Sequence, residues 1–169
     1  SWTYGGSGTN YGGVAAYGSS TAYNSVTNVS CDKFGNTSGN AVHTSAGWGS
    51  PSYYTQEVTL PAGEYKITFD VINRNSGATT ITNRFGWVPN EGTAVYNTST
   101  SIIYNAWQTL SVSFTLTEET SGKISLGMVS TSGKGSGDVA KLFTDNVKIF
   151  KMDDTSGTPT IAKPIDYSD

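Results

Sequence analysis

Apolar and polar residues alternate with a period of two along most of the chain. In "GEYKITFDVIN", Tyr65, Ile67, Phe69 and Val71 take one parity and Lys66, Thr68 and Asp70 the other. That pattern predicts a strand with one face in a core and one toward water. Upstream, Tyr54, Gln56, Val58 and Leu60 share one face of "YTQEVTL". The intervening "LPAG" is a turn, because Pro61 fixes φ and Gly63 permits φ > 0. The two segments are expected to pair across it as a hairpin.

Further strands follow. "TTITNRFGWVP" puts Ile81, Phe85 and Trp87 on one face, and "WQTLSVSFTL" does the same for Leu110, Val112, Phe114 and Leu116, with Trp107 entering the core just before. "GKISLGMVS" offers Ile124, Leu126 and Met128. "LFTDNVKIF" sets Phe143, Asp145, Val147 and Ile149 against Leu142, Thr144, Asn146, Lys148 and Phe150. "NAVHTSAGW" is another candidate, and "SWTYGGSGTNYGGVAAYGSS" is a Gly-rich lead-in with one or two short strands. Roughly eight strands with no helical period between them predict an all-β fold, an antiparallel β-sandwich or jelly roll. Alternation stops after Phe150. The polar "MDDTSGTPTIAKPIDYSD" reads as a linker, which divides the chain into a sandwich domain, 1–152, and a tail, 153–169.

Composition narrows the function classes. Charged residues are 14% of the 169, against ~25% in an average soluble protein. The net charge is −3 and the ten basic residues are scattered, so neither nucleic acid nor an anionic membrane is the expected partner. No apolar run approaches the ~18 residues of a membrane span. Cys31 is the single cysteine, which rules out an internal disulfide and is read as a buried small hydrophobe. The abrupt start at "SWTYGG", without a signal peptide, reads as a mature or excised chain.

Catalysis finds little support. Nucleophilic mechanisms need a histidine beside the nucleophile, and His43 is the only one, with no G-x-S-x-G elbow. It is read as a strand residue facing solvent or the sheet edge. Glycoside hydrolysis needs two carboxylates across a cleft. Glu57 and Asp70, expected on neighbouring strands, are the best pair, and the favoured reading of both is as solvated strand residues that oppose aggregation.

Ten tyrosines and four tryptophans point elsewhere. A pyranose has an apolar C–H face on which an aromatic ring stacks and a hydroxyl rim that amides and guanidiniums meet. Tyr65, Phe69, Phe85, Phe114 and Trp107 are assigned to the core, and Trp2 to the sandwich edge. In "SAGWGSPSYYTQ", adjacent tyrosines must face opposite ways, so Tyr54 is inward and Tyr53 outward. Trp48, Tyr53 and Trp87 are the candidate stacking platforms. "NRN" (Asn73, Arg74) and "NR" (Arg84) should be brought together by the short "SGATT" connection to supply hydrogen bonds around Trp87.

From the "Q-x-V-x-L-P-A-G-x-Y-x-I-x-F" stretch through "W-x-x-L-x-V-x-F" to "D-N-V-x-I", over residues 40–150, the chain resembles the galactose-binding-like jelly-roll carbohydrate-binding modules of secreted bacterial, Bacteroidetes-like glycan-degrading proteins. The resemblance implies a monomeric, non-catalytic module, secreted or at the cell surface, that holds a larger glycoside hydrolase on its polysaccharide. It also implies a structural Ca2+ near the closing strand, with Asp145 at the family's acidic position. The first strand lacks the family's acid, so Asp32, Asn36 and Thr37 of "SCDKFGNTSGN" are the candidate companion ligands. A structural spacer or adhesion domain without glycan binding is the alternative, and a small hydrolase the third.

Overall fold

A computed structural model describes residues 1–6, 12–21, 26–45, 51–76, 80–130, 140–152 and 159–164. The regular structure among them is entirely β. In chain order the strands are β1 (Thr3–Tyr4), β2 (Gly13–Ala16), β3 (Asn40–Ser45), β4 (Ser52–Leu60), β5 (Gly63–Asn73) and β6 (Ile81–Asn83). They continue with β7 (Gly86–Pro89), β8 (Val95–Tyr96), β9 (Gln108–Leu116), β10 (Thr120–Ser130), β11 (Lys141–Met152) and β12 (Pro159–Pro164). One sheet runs β1-β4-β10-β7-β8, with β6 also on β10; the other runs β2-β3-β11-β5-β9, with β12 on β11. Every pairing between these strands is antiparallel. This is the β-sandwich that alternation predicts.

The core lies between the sheets, where the inward parity of β5 meets that of β10. Tyr65, Ile67, Phe69 and Val71 pack with Ile124, Leu126 and Met128. Each such side chain contributes ~1.5–3 kcal/mol on burial. Aromatic rings fill the remaining space: Phe69 meets Phe85 edge-on at 5.3 Å, and Phe114 stacks on Tyr65 at 5.6 Å and on Trp87 at 5.1 Å. Trp2 packs half-buried against this core, as expected of an edge cover.

Three local expectations are corrected. β4 and β5 do not form a hairpin. β4 pairs with β1 and β10, β5 with β9 and β11, and "LPAG" arches from one sheet to the other. An arch lets Leu60 and Tyr65 enter the core from opposite layers, and the Tyr65 hydroxyl fastens it by donating to the Pro61 carbonyl at 2.8 Å. "TTITNRFGWVP" is two strands, β6 and β7, because the Asn83 side chain accepts the Phe85 N–H at 3.2 Å and turns the backbone between them. Part of the supposed linker is strand: β12 pairs with β11 from Lys148 to Met152. Its two prolines sit at its ends on a sheet edge, where a missing N–H costs no ladder bond.

The outer face of the second sheet also departs from expectation. Ala15, Val26, Ala41, Ile72 and Phe143 form a second small core there, with Tyr17, Val29 and Trp107 packed against it. Trp107 therefore plugs this outer core, its indole N–H donating to the Cys31 carbonyl at 3.3 Å, and Cys31 itself is only partly buried. His43 is not at the solvent. It is fully buried and stacked on Phe143 at 4.9 Å, and neither ring nitrogen has a partner. Burial, with Lys141 nearby, lowers its pKa to about 4.

Candidate functional site

The outer face of the first sheet carries an aromatic and cationic cluster. Tyr54 is committed to the core, so Tyr53 must point out of β4. Gly127 of β10 stands opposite Tyr53, and on its other side its carbonyl accepts the Arg84 N–H at 2.8 Å. Tyr53 and Arg84 are thus two strands apart, about 10 Å of backbone separation. The Arg84 guanidinium nevertheless lies 5.6 Å from the Tyr53 ring centroid and 5.1 Å from that of Tyr96. Its Nη1 donates to the Tyr96 hydroxyl at 2.9 Å.

Gly127 permits this approach. Its φ is +126°, and a Cβ there would lie 2.6 Å from Tyr53 Cα and 2.8 Å from Tyr53 Cβ. Any side chain would also occupy the space across which arginine and tyrosine meet. One register row along, Ser125 pairs with Gly86, which pairs in turn with Tyr96. Ser125 is 1% exposed, and both its hydroxyl and Arg84 Nε are buried without a hydrogen-bond partner. The result is a cation flanked by two phenol rings, with polar groups unused by the protein.

The predicted ligand-binding residues separate in space. Tyr53 and Arg84 come together. Trp87 is 2% exposed and stacked flat on Phe114, so it is core and offers no platform; its strand must close the sandwich against β9. Asn73 and Arg74 end a strand of the second sheet, whereas Arg84 follows β6 of the first, so β5 and β6 are not a hairpin. Asn73 is buried and structural: its amide donates to the Ile102 carbonyl, and its Oδ1 accepts the Asn75 and Lys141 N–H groups. Arg74 donates to the Thr27 carbonyl at 3.0 Å and to Asn105 Oδ1. Trp48 lies outside the described residues. Sequence reasoning missed Tyr96 and Ser125. Ser125 had a signal, a small polar residue on the outward parity between Ile124 and Leu126. Tyr96 had none, since its two-residue strand shows no alternation.

The predicted metal ligands fall on the second sheet. Asp32, Asp70 and Asp145 are all buried, with Lys33 as the ion-pair partner of Asp70 at 3.6 Å. Asn146, at φ +50° in the β11 bulge, reaches Asp70 Oδ2 at 3.0 Å. Asp32 accepts the Phe34 and Asn36 N–H groups on Oδ1 and the Asn36 amide on Oδ2. Asp145 accepts the Tyr17 hydroxyl and the Asn146 N–H, and Asp70 accepts the Thr109 hydroxyl. Burial raises the Asp32 carboxyl, but these Asn36 and Phe34 bonds outweigh it and hold the group below its usual range. Burial raises Asp145, with Asp32 and Asp70 adding to the rise and the Tyr17 bond opposing it. Thr37 is exposed. Among the described residues, no three His, Cys, Asp or Glu side chains are arranged to hold a metal ion. The donor chemistry is that of a calcium site, but every carboxylate oxygen of the three acids is taken by a protein N–H or O–H.

Glu57 and Asp70 are also parted. Glu57 is exposed on the first sheet and Asp70 points out of the second, so they face opposite sides of the sandwich. The expectation of neighbouring strands rested on the hairpin that the arch replaces.

No protein-family model and no curated protein matches the chain. Its architecture, however, recurs in solved structures. The carbohydrate-binding module TmCBM61, in complex with β-1,4-galactotriose, superposes with a TM-score of 0.57 at 16% identity, over 89% of this chain and 88% of that one. The enzymatically active domain of bacteriophage CBA120 tailspike protein 4 superposes with a TM-score of 0.51, also at 16% identity, over 88% of this chain and 19% of that one. The chain has a jelly-roll fold, the one seen in that carbohydrate-binding module.

Proposed function

We propose that this protein is a non-catalytic carbohydrate-binding module and that the outer face of its first sheet is the saccharide platform. The observation that carries the reading is the Tyr53–Arg84–Tyr96 cluster: two half-buried rings on either side of a half-buried guanidinium. Rings offer the apolar surface a pyranose stacks on, and the Arg84 guanidinium and Tyr96 hydroxyl match its hydroxyl rim. The likeness to a module seen with a galactotriose supports the class of ligand. The separation of Glu57 from Asp70 supports binding over hydrolysis, and attachment to a secreted bacterial glycoside hydrolase completes the proposal.

Affinity electrophoresis through polysaccharide gels tests the site. Tyr53→Ala and Tyr96→Ala each lower retention about tenfold, ~1.4 kcal/mol, while the melting temperature holds. Equal retention in both variants rejects the platform. A structural Ca2+ at Asp32 and Asp145 belongs to the same proposal. It would have to displace Tyr17 and Asn146 from Asp145, so added calcium raises the melting temperature and a chelator reverses the rise; no shift removes it. The spacer reading rests on Ile103 and Tyr104, adjacent and exposed at one end of the sandwich. It predicts a module that binds no saccharide on any gel.

A further inference from the structure

Arg84 sits where a neutral sugar would not require it. It is half-buried between two phenol rings, and no carboxylate of the described residues lies within ion-pair distance. A guanidinium drawn partly out of water loses hydration that ring contacts replace only in part. Glu57, an acid on the same face, stands directly across from Lys123 in register rather than beside Arg84. The other acids near a cation, Asp32, Asp70 and Asp145, are on the opposite sheet with Lys33.

The donors at this cluster point the same way. Nη1 is spent on Tyr96, whose oxygen accepts it and whose own hydroxyl hydrogen is therefore left to donate. Among the described residues Nη2 has no hydrogen-bond partner, so it and the Tyr96 hydroxyl are the donors this cluster can offer. Two adjacent donors, one of them charged, suit a planar anion better than a lone hydroxyl.

We infer that the saccharide this face takes is acidic, a chain bearing uronic-acid carboxylates, and that Arg84 with the Tyr96 hydroxyl selects it. The inference rests on reading the face as a saccharide site. In that arrangement the carboxylate completes the ion pair the protein leaves open, the two rings hold the sugar face beside it, and Gly127 keeps the approach clear.

Calorimetric titration of the whole chain tests this with an array of uronate oligosaccharides (galacturonate, glucuronate, mannuronate and guluronate chains), each beside its carboxyl-reduced counterpart, and with β-1,4-galactotriose. The wild type should bind at least one acidic chain about tenfold tighter than its reduced form, with a preference that shrinks as salt rises. Arg84→Gln abolishes the preference, Arg84→Lys keeps part of it, and Phe34→Ala, at the other aromatic-cation cluster, leaves it intact. Neutral chains bound as tightly as acidic ones overturn the inference while the saccharide site stands. So does an acidic preference that survives Arg84→Gln or disappears in Phe34→Ala. Should Arg84→Gln fail to fold, the wild-type ratio and Arg84→Lys still decide. If no saccharide binds at all, the site reading itself falls.

Discussion

The two sheets share a core but treat their outer faces in opposite ways. On the second sheet the chain covers itself: Val26 and Val29, with Tyr17, pack over Ala41, Ile72 and Phe143, and three carboxylates are tied up by protein donors. On the first sheet nothing comparable is laid over Tyr53, Arg84 and Tyr96 among the described residues, and the polar groups there include two with no protein partner. The difference teaches that unsatisfied polarity is informative only in context. His43 is also unpartnered, but it is sealed against Phe143 and has no route to a ligand. Arg84 Nε and Ser125 Oγ are buried too, but they lie under the half-buried Arg84, Tyr53 and Tyr96 side chains, which do reach solvent.

Substitutions on the covered face should move stability and leave binding alone. The largest effect is expected from Phe143→Ala, which empties the centre of the outer core and costs about 3–5 kcal/mol in chemical denaturation. If that variant lost saccharide retention while still folded, the division between faces would be wrong.

A smaller effect comes from pH. His43 has a folded pKa near 4 against 6.5 unfolded, so the fold holds it neutral. Above pH 6.5 both states are neutral and the stability is fully present. As pH falls toward 4 the unfolded chain takes up the proton first, and stability is lost by up to roughly 3 kcal/mol. His43→Leu should flatten that part of the profile relative to wild type, in urea titrations at pH 7, 5.5 and 4; parallel curves would place the titration elsewhere.

The smallest effect sharpens the contrast from the other side. Phe34 is 66% exposed, with the Lys33 and Lys148 ammonium groups 5.9 and 5.8 Å from its ring centroid. Removing it should change stability by less than ~0.5 kcal/mol, read from the melting curve. A larger loss would make this ring part of the cover.

Much of the fold was legible in the alternation. The parity of β5, β9 and β10 gave the core faces correctly, and the same rule turned Tyr54 inward and Tyr53 outward. What alternation could not give was the sheet each strand joins. "LPAG" is compatible with a hairpin or an arch, and only the packing of Leu60 and Tyr65 from opposite layers decides. That one ambiguity carried through to Glu57 and Asp70, and its counterpart at "SGATT" carried through to Asn73, Arg74 and Arg84. Trp87 was misassigned because its neighbours "VPNEG" read as a loop, whereas Val88 and Pro89 continue its strand and pair with β10. Long-range pairing leaves no local trace, so Tyr96 was invisible.

Chemical-shift mapping of the isotopically labelled protein during titration with a bound oligosaccharide decides whether the outer face of the first sheet is the saccharide site. Perturbations should cluster at Tyr53, Arg84, Tyr96, Ser125 and Gly127, with Phe143 and His43 unmoved. Perturbations centred instead on Ile103, Tyr104 and Arg74 at the end of the sandwich, with the first sheet silent, would contradict it.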